Sequence, residues 1–107
     1  DDPAVAALFL RRLAIRIRQL VDRLDSAALL SVHARLAAFL LDRATAAGDM
    51  PFNLGMTQED LADELGTVRE VVVRGLAHFR RTGAITSAGR GRYVMTNAAA
   101  LRAVAGV

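Results

Sequence analysis

Apolar residues recur along this chain in blocks of helical period, separated by glycine, proline and capping residues. In the first block Phe9, Leu13, Ile17, Leu20 and Leu24 follow one another at spacings of three and four, which predicts one stripe of a helix from Pro3 to about Leu24. Pro3 suits a first helical turn, and Asp1 and Asp2 favour that end of the helix dipole. Val5, Leu8, Leu10 and Ile15 add apolar surface outside the stripe. A helix with two apolar faces is expected to meet the compact C-terminal part with one and a second subunit or a further domain with the other, with Arg11, Arg12, Arg16 and Arg18 flanking the seam. Asp25-Ser26 is read as a break, and Ser31 as the cap of a second helix over residues 32–46. Val32, Leu36, Phe39, Leu40 and Ala44 face a core there, and Gly48 closes the helix.

Residues 49–56 read as a loop with a short strand at Phe52-Asn53-Leu54. Thr57 is placed to cap the next helix, with Asp60 where a capping box usually has Glu, and Leu61, Ala62 and Leu65 form its apolar side. Gly66 breaks it. A further helix follows from about Val68 to Arg81, with Val72, Leu76 and Phe79 on one face and Arg69, Glu70, Val73, Arg74, Ala77 and Arg81 largely off it. Gly75 permits close approach of another helix at some cost in propensity. After Gly83, residues 84–87 and 92–95 read as two strands joined by a glycine-containing turn. Asn97 is positioned to cap a last short helix containing Leu101. Helix, helix, helix, hairpin predicts a mainly α (α+β) winged helix-turn-helix, with a long N-terminal dimerisation helix and a small β-hairpin wing.

Composition narrows the chemistry. The chain has 107 residues, 53% of them hydrophobic, which suits a folded domain. It has no cysteine, so disulfides and cysteine-ligated metals are excluded. All 14 basic residues are arginine, for a net charge of +3. Arginine's planar fork suits phosphate and guanine, although a GC-rich genome yields the same bias. No uninterrupted apolar run reaches about 18 residues, so no membrane partner is expected. No signal peptide is evident. His33 is read as a surface or capping histidine and His78 as a solvent-facing or packed one, neither with a metal, since nothing in the sequence pairs them. Asp60, Asp63 and Glu64 read as helix-surface and capping carboxylates; no catalytic or metal site is expected, and no cofactor in this chain.

The N-terminal end of the 68–81 helix carries the candidate chemistry. A major groove admits one helix, whose first turns touch base edges. Arg69 can donate twice to a guanine, Glu70 can accept from cytosine or hold an arginine, Val73 can meet a thymine methyl, and Arg74 can reach a base or phosphate. Thr57 and Gln58 can meet phosphates at the preceding helix N-terminus. Arg90 and Arg92, in or beside the wing, are further backbone-contact candidates, with Arg80 and Arg81 weaker ones. Tyr93 is expected half-buried with its hydroxyl outward, and Phe52 as packing before the helix-turn-helix.

These residues carry a resemblance to the cyclic-AMP receptor/fumarate-nitrate regulator family of bacterial transcription factors. Residues 5–28 resemble the end of the central dimer helix, and residues 31–41, SVHARLAAFLL, the first helix of the DNA domain. Met56–Gly66 is similar to the positioning helix and turn, Arg69-Glu70-Val71-Val72-Val73-Arg74 to the arginine–glutamate–threonine–valine–serine–arginine core, and Gly83-Ala84-Ile85 to the wing entry. The resemblance implies a dimerisation helix over 1–28 and a DNA-binding domain over 29–107. It implies base recognition by Arg69, Glu70 and Arg74, a phosphate grip including Thr57 and Gln58, and a homodimer on near-palindromic duplex DNA in the cytoplasm, at the nucleoid. RNA polymerase recruitment commonly follows. Val68 departs from a usual Ser or Thr with a capping and phosphate-contacting role; Thr67 is expected to cap in its place, with Glu70 as its capping-box partner. Val71 and Val73 replace polar residues, and the wing lacks a long basic loop. A start at Asp1 and the lack of room for an effector barrel imply a piece of a longer regulator, whose small-molecule or redox effector binds elsewhere. The competing reading is a winged-helix protein-interaction module without DNA readout, which the apolar recognition helix favours.

Overall fold

The computed structural model describes residues 2–24 and 29–107. Its elements are α1 (Pro3–Ala47), β1 (Phe52–Asn53), α2 (Gln58–Leu65), α3 (Arg69–Arg81), β2 (Ile85–Gly89), β3 (Arg92–Met95) and α4 (Ala98–Ala105). Residues Asp1–Leu30 and Ser31–Val107 form two compact units.

In the first unit Asp2 Oδ1 accepts from Ala4 N at 2.9 Å, satisfying a free amide of the first turn. Phe9, Leu13, Ile17, Leu20 and Leu24 are all exposed, as are Val5, Leu8, Leu10 and Ile15. The expected break at Asp25-Ser26 lies outside the described residues. The expectation of a second helix capped by Ser31 is corrected, because α1 is assigned through it to Ala47. Leu29, Leu30, Ala34, Leu36 and Ala37 are strong helix formers, and one serine among them does not start a new helix. Interrupting charges do not make α1 polar throughout. One 18-residue window in α1 is apolar and charge-poor enough to cross a bilayer by length and composition.

In the second unit Val32, Leu36, Ala37, Leu40 and Ala44 of α1 are buried. Leu36, Ala37, Leu40 and Ala44 share the core with Leu61, Ala62 and Leu65 of α2, Val72, Leu76 and Phe79 of α3, and Leu101 of α4. The helical periodicity selects these positions except Ala37, which it passed over, and it also selects Phe39, which is half-buried against the core. The sheet is antiparallel with order β1-β3-β2. Ile85, Thr86 and Ser87 pair with Met95, Val94 and Tyr93, after which the register shifts between Ser87 and Gly89. Thus the hairpin gains a third strand, with Phe52 opposite Tyr93. Their rings lie tilted at 6.2 Å and both residues are buried, so Tyr93 sits deeper than the half-buried position expected of it. Asn97 caps α4 as expected, its Oδ1 accepting from Ala100 N at 3.1 Å.

Candidate nucleic-acid interface

Two short helices and a turn build the site. Thr57 Oγ1 accepts from Asp60 N at 3.0 Å and so caps α2. Gly66 ends α2 in the left-handed region at φ 71°, and Thr67 N donates back to Ala62 O at 2.9 Å. That turn sets the direction in which α3 leaves. Val68, extended at φ −112° and ψ 157°, is the N-cap of α3 and supplies no side-chain hydrogen bond. The expected Thr67 cap with Glu70 as its partner is therefore corrected. The chain needs one more extended residue after Gly66–Thr67 before α3 can begin, and this places Thr67 one position too early.

Val72, Gly75, Leu76 and Phe79 anchor α3 in the core. A β-carbon at Gly75 would lie 2.6 Å from Leu36 Cδ2, so the missing side chain is what lets α1 and α3 meet so closely. The buried face turns the other side of α3 outward. Arg69, Glu70, Val73 and Arg74 are all exposed there, and Arg74 Nη2 donates to Glu70 Oε1 at 2.7 Å. The N-terminal turns of α3 thus present guanidinium groups, a carboxylate and an apolar branch on one outward surface. Val68 is 63% exposed and Val73 38%.

Thr57 is exposed and Gln58 half-buried at the start of α2. They border an open depression of about 520 Å³, lined by residues 53–58 of the incoming loop together with Gly91 and Tyr93 of the wing. At the wing tip Gly89, Arg90 and Gly91 take positive φ values of 84°, 52° and 72°. Arg90 and Arg92 are exposed, while Arg80 and Arg81 are exposed at the far end of α3.

Two relationships escaped the sequence. Arg43 of α1 donates from Nε to Asn53 O at 3.1 Å and from Nη2 to Asn53 Oδ1 at 3.3 Å, while Asn53 Oδ1 also accepts from Gly55 N at 2.8 Å. This guanidinium pins the loop that delivers Thr57 to the head of α2. The second is a pairing of His33 with His78: their rings lie 5.9 Å apart and within 10° of parallel. His33 is thus packed, rather than a surface or capping residue. No side-chain period in one helix reveals a partner in another.

Residues 34–104 match the Crp-like helix-turn-helix domain. The chain belongs to that family. Over 80 residues it is 38% identical to the transcriptional activator protein FnrL of Cereibacter sphaeroides, covering 75% of this chain and 32% of that protein. Its fold is similar to that of the Thermus thermophilus catabolite activator protein, with TM-score 0.76 and 29% identity, covering 97% of this chain and 47% of that one. The fold of DNR from Pseudomonas aeruginosa is similar too, with TM-score 0.80 at 20% identity, covering 97% and 46% of the two chains. The chain therefore spans about a third to a half of the length of these proteins. Crp-like domains of this kind act by binding DNA in transcription regulation, not by catalysis.

Proposed function

We propose that the Crp-like domain of this chain reads a near-palindromic duplex as a homodimer. The observation that carries the reading is the two-sidedness of α3: Val72, Gly75, Leu76 and Phe79 are buried while Arg69, Glu70, Val73 and Arg74 face outward. A helix seated on its own domain in this way can enter a major groove without losing its core.

Arg69 donates to guanine O6 and N7, and Arg74 to a base edge or phosphate. Glu70 accepts from cytosine or orients Arg74, and Val73 meets a thymine methyl. Phosphates are held by Thr57 and Gln58 at the head of α2, by the backbone around Thr67 and Val68 at the entry to α3, and by Arg90 and Arg92 of the wing. Residues 1–28 form the dimerisation helix, pairing through Phe9, Leu13, Ile17, Leu20 and Leu24, and residues 29–107 the DNA-binding domain. The dimer sets two recognition helices about 34–36 Å apart. A small molecule or redox signal bound outside this chain governs their presentation, with RNA polymerase as a further partner and the cytoplasmic nucleoid as the place of action.

Selection from a randomised duplex library tests this. Enrichment of a two-fold motif that an Arg69→Ala/Arg74→Ala variant loses supports the reading. Enrichment that survives the double substitution refutes the assigned base contacts. The exposed Val68 and Val73 favour a second reading, a protein-interaction module on the same fold. Binding of a protein partner that is indifferent to the double substitution, with no duplex enriched, supports that one.

A further inference from the structure

His33 and His78 are the chain's only histidines, and there is no cysteine. No other side chain has an ordinary pKa between pH 5 and 8. The fold brings these two together from α1 and α3, 45 residues apart in sequence (78 − 33), with rings 5.9 Å apart and nearly parallel. Phe79 tilts against both, at 6.2 Å from His33 and 5.6 Å from His78. On the remaining side the His33 ring lies over Gly75, where a β-carbon would sit 3.7 Å from Cδ2 and 3.8 Å from Nε2. Both residues are half-buried. The pair is thus part of the same contact that seats α3 on α1 through Leu36 and Gly75.

We infer that this pair is a proton-sensitive latch between α1 and the recognition helix, closed when the imidazoles are neutral and loosened when both take up protons. Neutral rings pack on each other and on Phe79; two imidazolium ions at this separation repel, and burial weakens the water that would screen them. The charged groups on the two packed elements do not relieve this. From residue 31 on, α1 carries Arg35, Asp42 and Arg43, the last bonded to Asn53, and α3 carries the cations Arg69, Arg74, Arg80 and Arg81 with the carboxylate of Glu70 taken by Arg74 at 2.7 Å. Among the described residues no carboxylate forms an ion pair with either ring. Burial first, and the neighbouring His78 charge second, hold His33 below its ordinary value of 6.5. Between that lowered value and 6.5 the unfolded chain binds more protons than the folded one. The stabilisation is full above pH 6.5 and is lost as pH falls through the window below it. The inference concerns packing within residues 31–107 and does not rest on DNA reading.

Thermal unfolding of the whole chain between pH 7.5 and 5.0 tests it, in wild type, His33→Gln and His78→Gln. Wild-type Tm is expected to fall by several degrees on acidification. His33→Gln is expected to abolish most of that fall. His78→Gln should reduce it only partly, because burial of His33 persists. A flat wild-type profile, or a fall that survives in His33→Gln, overturns the latch. Imidazole proton shifts of the wild type give a test that needs no variant. One ring titrating below 6.5, with the Gly75 amide shift following the same curve, supports the latch. A His33 ring titrating at its ordinary value, with Gly75 unmoved, overturns it.

Discussion

Arg74 donates to Glu70 across 2.7 Å on a single exposed turn of α3. The glutamate precedes the arginine by four residues, the favourable order along a helix. Being exposed, the pair is screened by water and contributes little to stability, about 0–1 kcal/mol at most. Its effect on DNA is expected to be larger, since each good base contact discriminates by about 1–3 kcal/mol. Glu70→Ala should therefore leave the Tm nearly unchanged while altering the selected motif at one position per half-site. A large loss of stability with an unchanged motif would assign the pair to the fold instead.

Gly75→Ala sets helix propensity against packing. Alanine in a helix interior is favoured over glycine by up to about 1 kcal/mol. Here its β-carbon would meet Leu36 Cδ2 at 2.6 Å, and Leu36 is fully buried. Overpacking a core costs roughly 1–3 kcal/mol. A net loss of about 1 kcal/mol is expected in urea unfolding. A stabilised variant would show that Leu36 has room to turn aside.

Thr57→Ala removes the cap on α2, which accepts from Asp60 N at 3.0 Å. Such caps contribute about 1 kcal/mol. The variant should lose about that much stability, together with duplex affinity, and Thr57→Ser should restore most of both. If alanine and serine behave alike, the hydroxyl is not the cap that matters.

Arg90 stands at φ 52° between two glycines. A non-glycine residue in the left-handed region costs roughly 1–2 kcal/mol. Arg90→Gly is expected to stabilise the domain by about 1 kcal/mol while weakening duplex binding. The magnitude of the slope of log affinity against log salt should also fall by about 1. An unchanged slope would remove Arg90 from the phosphate grip.

Ile17→Glu puts a charge on the exposed stripe of the first unit. Sedimentation equilibrium should show a dimer in wild type and a monomer in the variant, with residues 31–107 melting as before. A wild type that is monomeric at all concentrations would remove the stripe from the dimer.

What the sequence determined by itself was local. The stripes of α2 and α3, the Thr57 and Asn97 caps, the glycine turn and the hairpin depend on neighbours within about one turn or one strand, so residue type and spacing suffice. The outward row from Arg69 to Arg74 followed from the same period, because naming the buried face names the exposed one. The tertiary structure decided whatever joins distant segments. It paired Phe52 with Tyr93 and turned a hairpin into a three-stranded sheet. It also tied Arg43 to Asn53, set Leu36 against Gly75 and stacked His33 on His78. It moved the α3 cap from Thr67 to Val68, since the exit of the Gly66 turn, not capping preference, chooses where the helix begins. Each of these contacts is selected by packing one element on another, and no periodicity within either element records which partner it will meet.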